Sequence, residues 1–121
     1  MLMDFEPLVP SLPGIDWARG ISYTGGNRTL YLRFLKRFPQ DPSMDRLMHA
    51  LSVGDLEAAF TCAHTLKGLC MQLGIVSLSD PAAALCNLLR PRDPSVLPQA
   101  VALANRLKTL HEQVTQAIHR L

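Results

Sequence analysis

Proline and glycine set the limits of what this chain can build. Nine prolines stand at positions 7, 10, 13, 39, 42, 81, 91, 94 and 98, and none falls inside a strongly periodic stretch. Proline breaks a helix interior but fits its first turn, so these positions mark boundaries. Gly25-Gly26, Gly54 and Gly74 add further stops. Between the marks, apolar residues recur every three or four positions, the repeat of an amphipathic helix.

The segments follow in order. A short helix is expected over 16–23, with Ile15 ahead of it and Asp16 as its N-cap. Asn27 caps a second, to about residue 38, with Leu30, Tyr31, Phe34, Leu35 and Phe38 on its apolar face. Met44, Leu47, Met48 and Leu51 form the stripe of a third. Asp55 caps a fourth over 56–73, where Leu56, Ala59, Phe60, Ala63, Leu66, Cys70 and Leu73 share one face. Asp80-Pro81 reads as N-cap and first residue of a fifth, to about 90, with a start near Ser77 as the other reading. A last helix spans about 95–120, with Leu97, Val101, Ala104, Leu107, Leu110, Val114, Ile118 and Leu121 inward. Alternation at period two is absent, so no strand is expected. Short loops between such helices imply an all-α protein: an antiparallel four-helix-bundle core with one or two short N-terminal helices.

Length allows one domain, since 121 residues can bury a single core but not two. We expect a Pro-rich arm or linker over 1–13 and the domain over 14–121. The net charge of +2 and the lack of a basic run give no reason to expect nucleic-acid binding. The first residues carry Asp4 and Glu6 and lack the basic and apolar regions of a signal peptide. No stretch reaches the roughly 20 apolar residues of a membrane helix, so direct membrane contact is not expected. Cys62, Cys70 and Cys86 lack CxxC spacing and read as small buried apolar residues of a reducing compartment. A soluble cytoplasmic monomer is the simplest expectation. His49, His111 and His119 lack partners at metal spacing and read as surface residues.

His64 stands apart. It lies at the flank of the fourth helix's core stripe, with Lys67 at i+3 and Gly68 at i+4 on the same surface. A glycine inside a helix costs about 1 kcal/mol against alanine, so Gly68 needs a reason. Close approach of another group to the imidazole is one; helix packing is the other. A neutral imidazole with space and a cation beside it can hold a phosphoryl group. An ordinary surface histidine beside a snorkelling lysine is the plainer reading.

The stretch AHTLKGLCMQLG, residues 63–74, resembles the signature of histidine-containing phosphotransfer (Hpt) domains. The match covers His64, Leu66, Lys67, Gly68, Leu73 and Gly74, and Leu78 and Leu85 continue the family's apolar pattern. Residues 12–38 resemble the opening of the Hpt domains that end hybrid sensor histidine kinases, and the stretch GDLEAAFTCAH resembles the family's approach to the histidine. The resemblance implies a four-helix bundle with an exposed, phosphorylated histidine. His64 would accept a phosphoryl group, on Nε2, from a receiver aspartate of a hybrid sensor kinase. It would pass the group to the receiver of a response regulator. The receiver would supply Mg²⁺; this chain would need no cofactor or metal of its own and would not be an autokinase. Lys67 would stabilise phosphoryl charge, and Gly68 would leave room for the receiver.

The chain departs from the family at one position. Many members carry Gln or Glu 22 residues after the histidine to orient the ring; here that position is Cys86, a weak acceptor. Gln72, a backbone carbonyl or water would have to serve instead. The departure keeps open an alternative, a non-phosphorylated helical adaptor that only docks receivers. A small metal- or ligand-binding bundle is a further rival that the spacing does not support. The expected docking surface gathers Thr61, Thr65, Leu69, Met71 and Gln72, with Arg33 and Arg37 from the basic second helix. For Leu69 and Met71 core packing is the other reading, and for the arginines a solvated helix face.

Overall fold

The computed structural model describes residues 14–121. The expected N-terminal arm, 1–13, lies outside the described residues. Six α-helices follow: α1 Trp17–Ser22, α2 Arg28–Arg37, α3 Ser43–Ser52, α4 Leu56–Leu73, α5 Val76–Leu89 and α6 Leu97–His119. Among the described residues no strand forms; Ile15 and Ile75 make a single antiparallel bridge. No helix there is long and apolar enough to cross a membrane.

The caps explain where the helices start. Asp16 accepts from the Arg19 amide at 3.1 Å, Asn27 from Leu30 at 2.9 Å and Asp55 from Ala58 at 3.0 Å. Each satisfies an amide with no partner inside its helix and contributes about 1 kcal/mol. Gly74 ends α4 in the left-handed region, at φ 71°, and its amide bonds back to the Cys70 and Met71 carbonyls.

Helices α3, α4, α5 and α6 form the bundle: α4 packs against α3 and α5, and α6 closes the ring against both. The two-residue link from α4 to α5 makes these neighbours antiparallel. The core is apolar and continuous, from Leu47 and Leu51 through Ala59, Ala63, Leu66 and Cys70 to Leu78, Leu85, Leu89, Ala104 and Leu107. Helix α1 lies on α4, and α2 touches α1, α4 and α6. The Tyr31 phenol donates to the Leu73 carbonyl at 2.6 Å, fixing α2 to the C-terminal end of α4. Gly20 and Gly74 permit this junction. A Cβ on Gly20 would run into the Tyr31 ring, and one on Gly74 into the Asp16 carbonyl.

Three expectations are corrected. Helix α5 starts at Val76, one residue from the alternative start near Ser77, and holds Pro81 inside it instead of starting at Asp80-Pro81. Tertiary contact decides this. The Asp16 amide bonds to the Gly74 carbonyl at 2.6 Å and the Ser77 amide to the Gly14 carbonyl at 3.1 Å. With Ile75 and Leu78 fully buried, the chain is already in place to begin a helix. Phe34, expected inward, is 41% exposed, because the bundle covers only the Tyr31–Leu35–Phe38 side of α2. His111, expected at the surface, is half-buried against Phe38, with ring centroids 5.3 Å apart.

Candidate functional site

Helix α4 divides cleanly. Ala59, Ala63, Leu66, Cys70 and Leu73 are buried, while Thr61, His64, Thr65 and Gln72 are exposed. The 3.6-residue repeat produces this division and holds His64 outward on a helix locked at both ends by Asp55 and Gly74.

Gly68 has open space around it: a Cβ built there meets no heavy atom of a neighbouring element within 4 Å. This separates it from Gly20 and Gly74, where a Cβ collides. Packing therefore does not require Gly68, although the helix interior disfavours it by about 1 kcal/mol. The glycine keeps the surface one turn beyond His64 low.

A shallow depression of about 330 Å³ lies at the imidazole, lined by Phe60, Thr61, His64, Thr65 and Arg90. Arg90, the C-cap of α5, brings a second cation that sequence reasoning missed. Burial pushes the Cys86 thiol up, and the charges of Lys67 and Arg90 pull it the other way. Of the two, Arg90 lines the depression at His64, and Lys67 stands one turn beyond His64 on α4. An anion in the depression would meet positive charge with no carboxylate lining it.

Cys86 itself is fully buried in the core. Among the described residues no hydrogen bond joins it, or Gln72, to the His64 ring. The ring lies instead against Phe60, one turn earlier, with centroids 5.9 Å apart and planes tilted by 37°. The Arg92 guanidinium covers Phe60 at 3.8 Å from the ring centre, and Arg90 stands at 5.4 Å. Arg92 pairs with Glu57 through two contacts, 2.9 and 3.3 Å, and donates to the Arg90 carbonyl at 2.6 Å. Sequence periodicity places Phe60 on the core stripe, yet its i−4 spacing from His64 is the signal that could have linked the two rings. Arg92 gives none, because its contacts with α4 span a long stretch of chain.

A second, larger hollow of about 610 Å³ opens between α2 and α4, lined among others by Tyr23, Tyr31, Phe34, Phe38, Leu69 and Leu73. Arg37 and Gln72 also border it. The residues expected to form one docking surface therefore divide. Thr61 and Thr65 border the depression at His64, and Leu69, Gln72 and Arg37 border the hollow. Half-buried Met71 and exposed Arg33 line neither. The Thr61 hydroxyl is turned back to the Glu57 carbonyl at 3.1 Å. Among the described residues no three His, Cys, Asp or Glu side chains converge to hold a metal.

Comparisons with curated proteins and with solved structures return no match. The family model of the Hpt domain matches residues 30–119, which take in α3 to α6 entirely and most of α2. With that match over most of its length and a histidine exposed on a bundle helix, the chain belongs to the Hpt domain family, the phosphocarriers of two-component signalling.

Proposed function

We propose that His64 is the phosphoryl acceptor of a phosphorelay between receiver domains. An unprotonated nitrogen of the imidazole attacks the phosphorus of a receiver's aspartyl phosphate. The N–P bond forms as the P–O bond to the aspartate breaks, and the carboxylate leaves with the electron pair. The other ring nitrogen keeps its proton. The reverse geometry delivers the group to the aspartate of a response regulator. The receiver's Mg²⁺ supplies most of the charge stabilisation; this chain supplies the nucleophile, and no autokinase step is needed.

The observation that carries this reading is the exposed imidazole one turn before an unfilled glycine surface, in a depression that Arg90 also lines. Gly68 admits the partner's backbone. Lys67 and Arg90 balance the phosphoryl charge as it arrives. The apolar hollow between α2 and α4, bordered by Leu69, Gln72 and Arg37, offers a docking area toward the C-terminal end of the helix that carries His64. Arg33 and Arg37 on exposed α2 positions suit the acidic mouth of a receiver. The resemblance to the ends of hybrid sensor kinases favours such a kinase as the donor and a cytoplasmic, monomeric carrier.

Mixing the chain with receivers that carry a radiolabelled aspartyl phosphate tests the proposal. Label should arrive, survive alkali, be lost in acid and be absent in His64→Gln. Receivers that bind the chain but leave it unlabelled would favour the docking adaptor.

A further inference from the structure

We propose that Phe60 is a positioning residue for His64, and that its ring, fixed by Arg92, orients the imidazole where the family's usual amide or carboxylate partner is replaced by Cys86. The inference rests on the reading of His64 as phosphoryl acceptor. Transfer needs the nitrogen lone pair aimed at phosphorus, and a small error in aim has a large kinetic effect. An exposed histidine with no hydrogen bond to the described residues needs another restraint. Phe60 is the ring within reach, 5.9 Å away and one helical turn earlier. Aromatic contacts of this kind favour the rotamer that keeps the rings together by about two- to tenfold.

The restraint works only if Phe60 is itself fixed. It is half-buried and packs against the core. The Arg92 guanidinium lies 3.8 Å from its ring centre. Arg92 is held in turn by Glu57, which stands one turn before Phe60 on the same helix, and by the Arg90 carbonyl. Its backbone lies in the left-handed region, at φ 55°, where among the described residues no other non-glycine residue stands. That conformation is unfavourable for arginine, and the contacts to Glu57, Phe60 and Arg90 keep it in place. Glu57, Arg92, Phe60 and His64 therefore form a continuous line of contacts ending at the reactive ring.

The test joins rates of phosphoryl acceptance to NMR spectra of the imidazoles. Phe60→Leu keeps apolar bulk but removes the aromatic face. It should slow acceptance by about three- to tenfold and shift the His64 ring protons through loss of ring current. Phe60→Tyr should restore both. Arg92→Ala, on an exposed loop, should slow acceptance by about two- to threefold and weaken the same ring-current shift; this variant decides the matter if Phe60→Leu fails to fold. Unchanged His64 resonances in Phe60→Leu and Arg92→Ala overturn the proposal. Slower transfer with unchanged resonances also overturns it, since Phe60 would then be touching the receiver. If the wild-type chain accepts no phosphoryl group, the acceptor reading fails, and the spectra alone decide whether Phe60 orients the ring.

Discussion

Two histidines of this chain lie against phenylalanine rings, and their surroundings give them opposite characters. His64 rests near Phe60 on the open face of α4, in a depression that also receives Arg90. His111 rests near Phe38 between α6 and the turn after α2, half-buried, and its Nε2 is buried without a hydrogen-bond partner among the described residues. Burial pushes the His111 pKa down, and Asp45, Asp41 and Glu112 pull it only partly back. An aromatic neighbour therefore does not make a histidine reactive. On the proposed reading, access and the sign of nearby charge decide: His64 is exposed with Arg90 lining its depression, and His111 is half-buried with Asp45, Asp41 and Glu112 as its charged neighbours. The same comparison separates Gly68, which fills no packing need, from Gly20 and Gly74, which close the junction of α1 with α4.

The sharpest way to break the comparison is to remove each imidazole in turn. His64→Gln should abolish phosphoryl acceptance while circular dichroism stays helical; His111→Gln should leave transfer within about twofold of wild type. Equal losses in both would erase the distinction. Next in size is Gly68→Gln, expected to slow transfer by about tenfold or more through obstruction. Its thermal midpoint should hold or rise slightly, because glutamine suits a helix interior better than glycine. Wild-type rates in that variant would show that the open surface is not used. Arg90→Ala should slow acceptance by about three- to tenfold, with the deficit shrinking at high salt as expected for an exposed charge. A deficit that salt leaves unchanged would assign Arg90 a packing role instead.

The smallest effect concerns acid. The unfolded chain protonates His111 near the ordinary value of about 6.5, whereas the folded chain resists protonation. At neutral pH and above both states are neutral there, and the residue imposes no penalty. As pH falls through the ordinary value, the unfolded state takes up the proton first, so folding stability declines until pH passes the lowered folded value. Denaturant melts at about pH 7.5 and 5 should show this decline, and His111→Gln should flatten it. An unchanged slope in the variant would place the acid sensitivity elsewhere.

Much of this architecture is legible in the order of the residues alone, and the reasons are local. The limits of α4 follow from a capping aspartate, an apolar repeat and a terminal glycine, and Asp16 and Asn27 act in the same way for α1 and α2. His64, Lys67 and Gly68 can be grouped because helical spacing alone places them on one surface. The features that sequence reasoning leaves open or misses depend on distant parts of the chain. Pro81 lies inside α5 because Gly14 and Asp16 bond to Ser77 and Gly74 and draw the helix start back to Val76. His111 is half-buried because α2 and its following turn fold over α6. Arg92 reaches Phe60 and Glu57 only after the turn beyond α5 brings it back to α4.

The most direct test of the central claim follows the four imidazoles at once. A two-dimensional ¹H–¹⁵N spectrum is recorded as a receiver carrying an aspartyl phosphate is added. A ring nitrogen of His64 should take on the shift of a phosphorylated imidazole while His49, His111 and His119 keep theirs. Phosphorylation at any of those three, or receiver binding with all four rings unmodified, would contradict it.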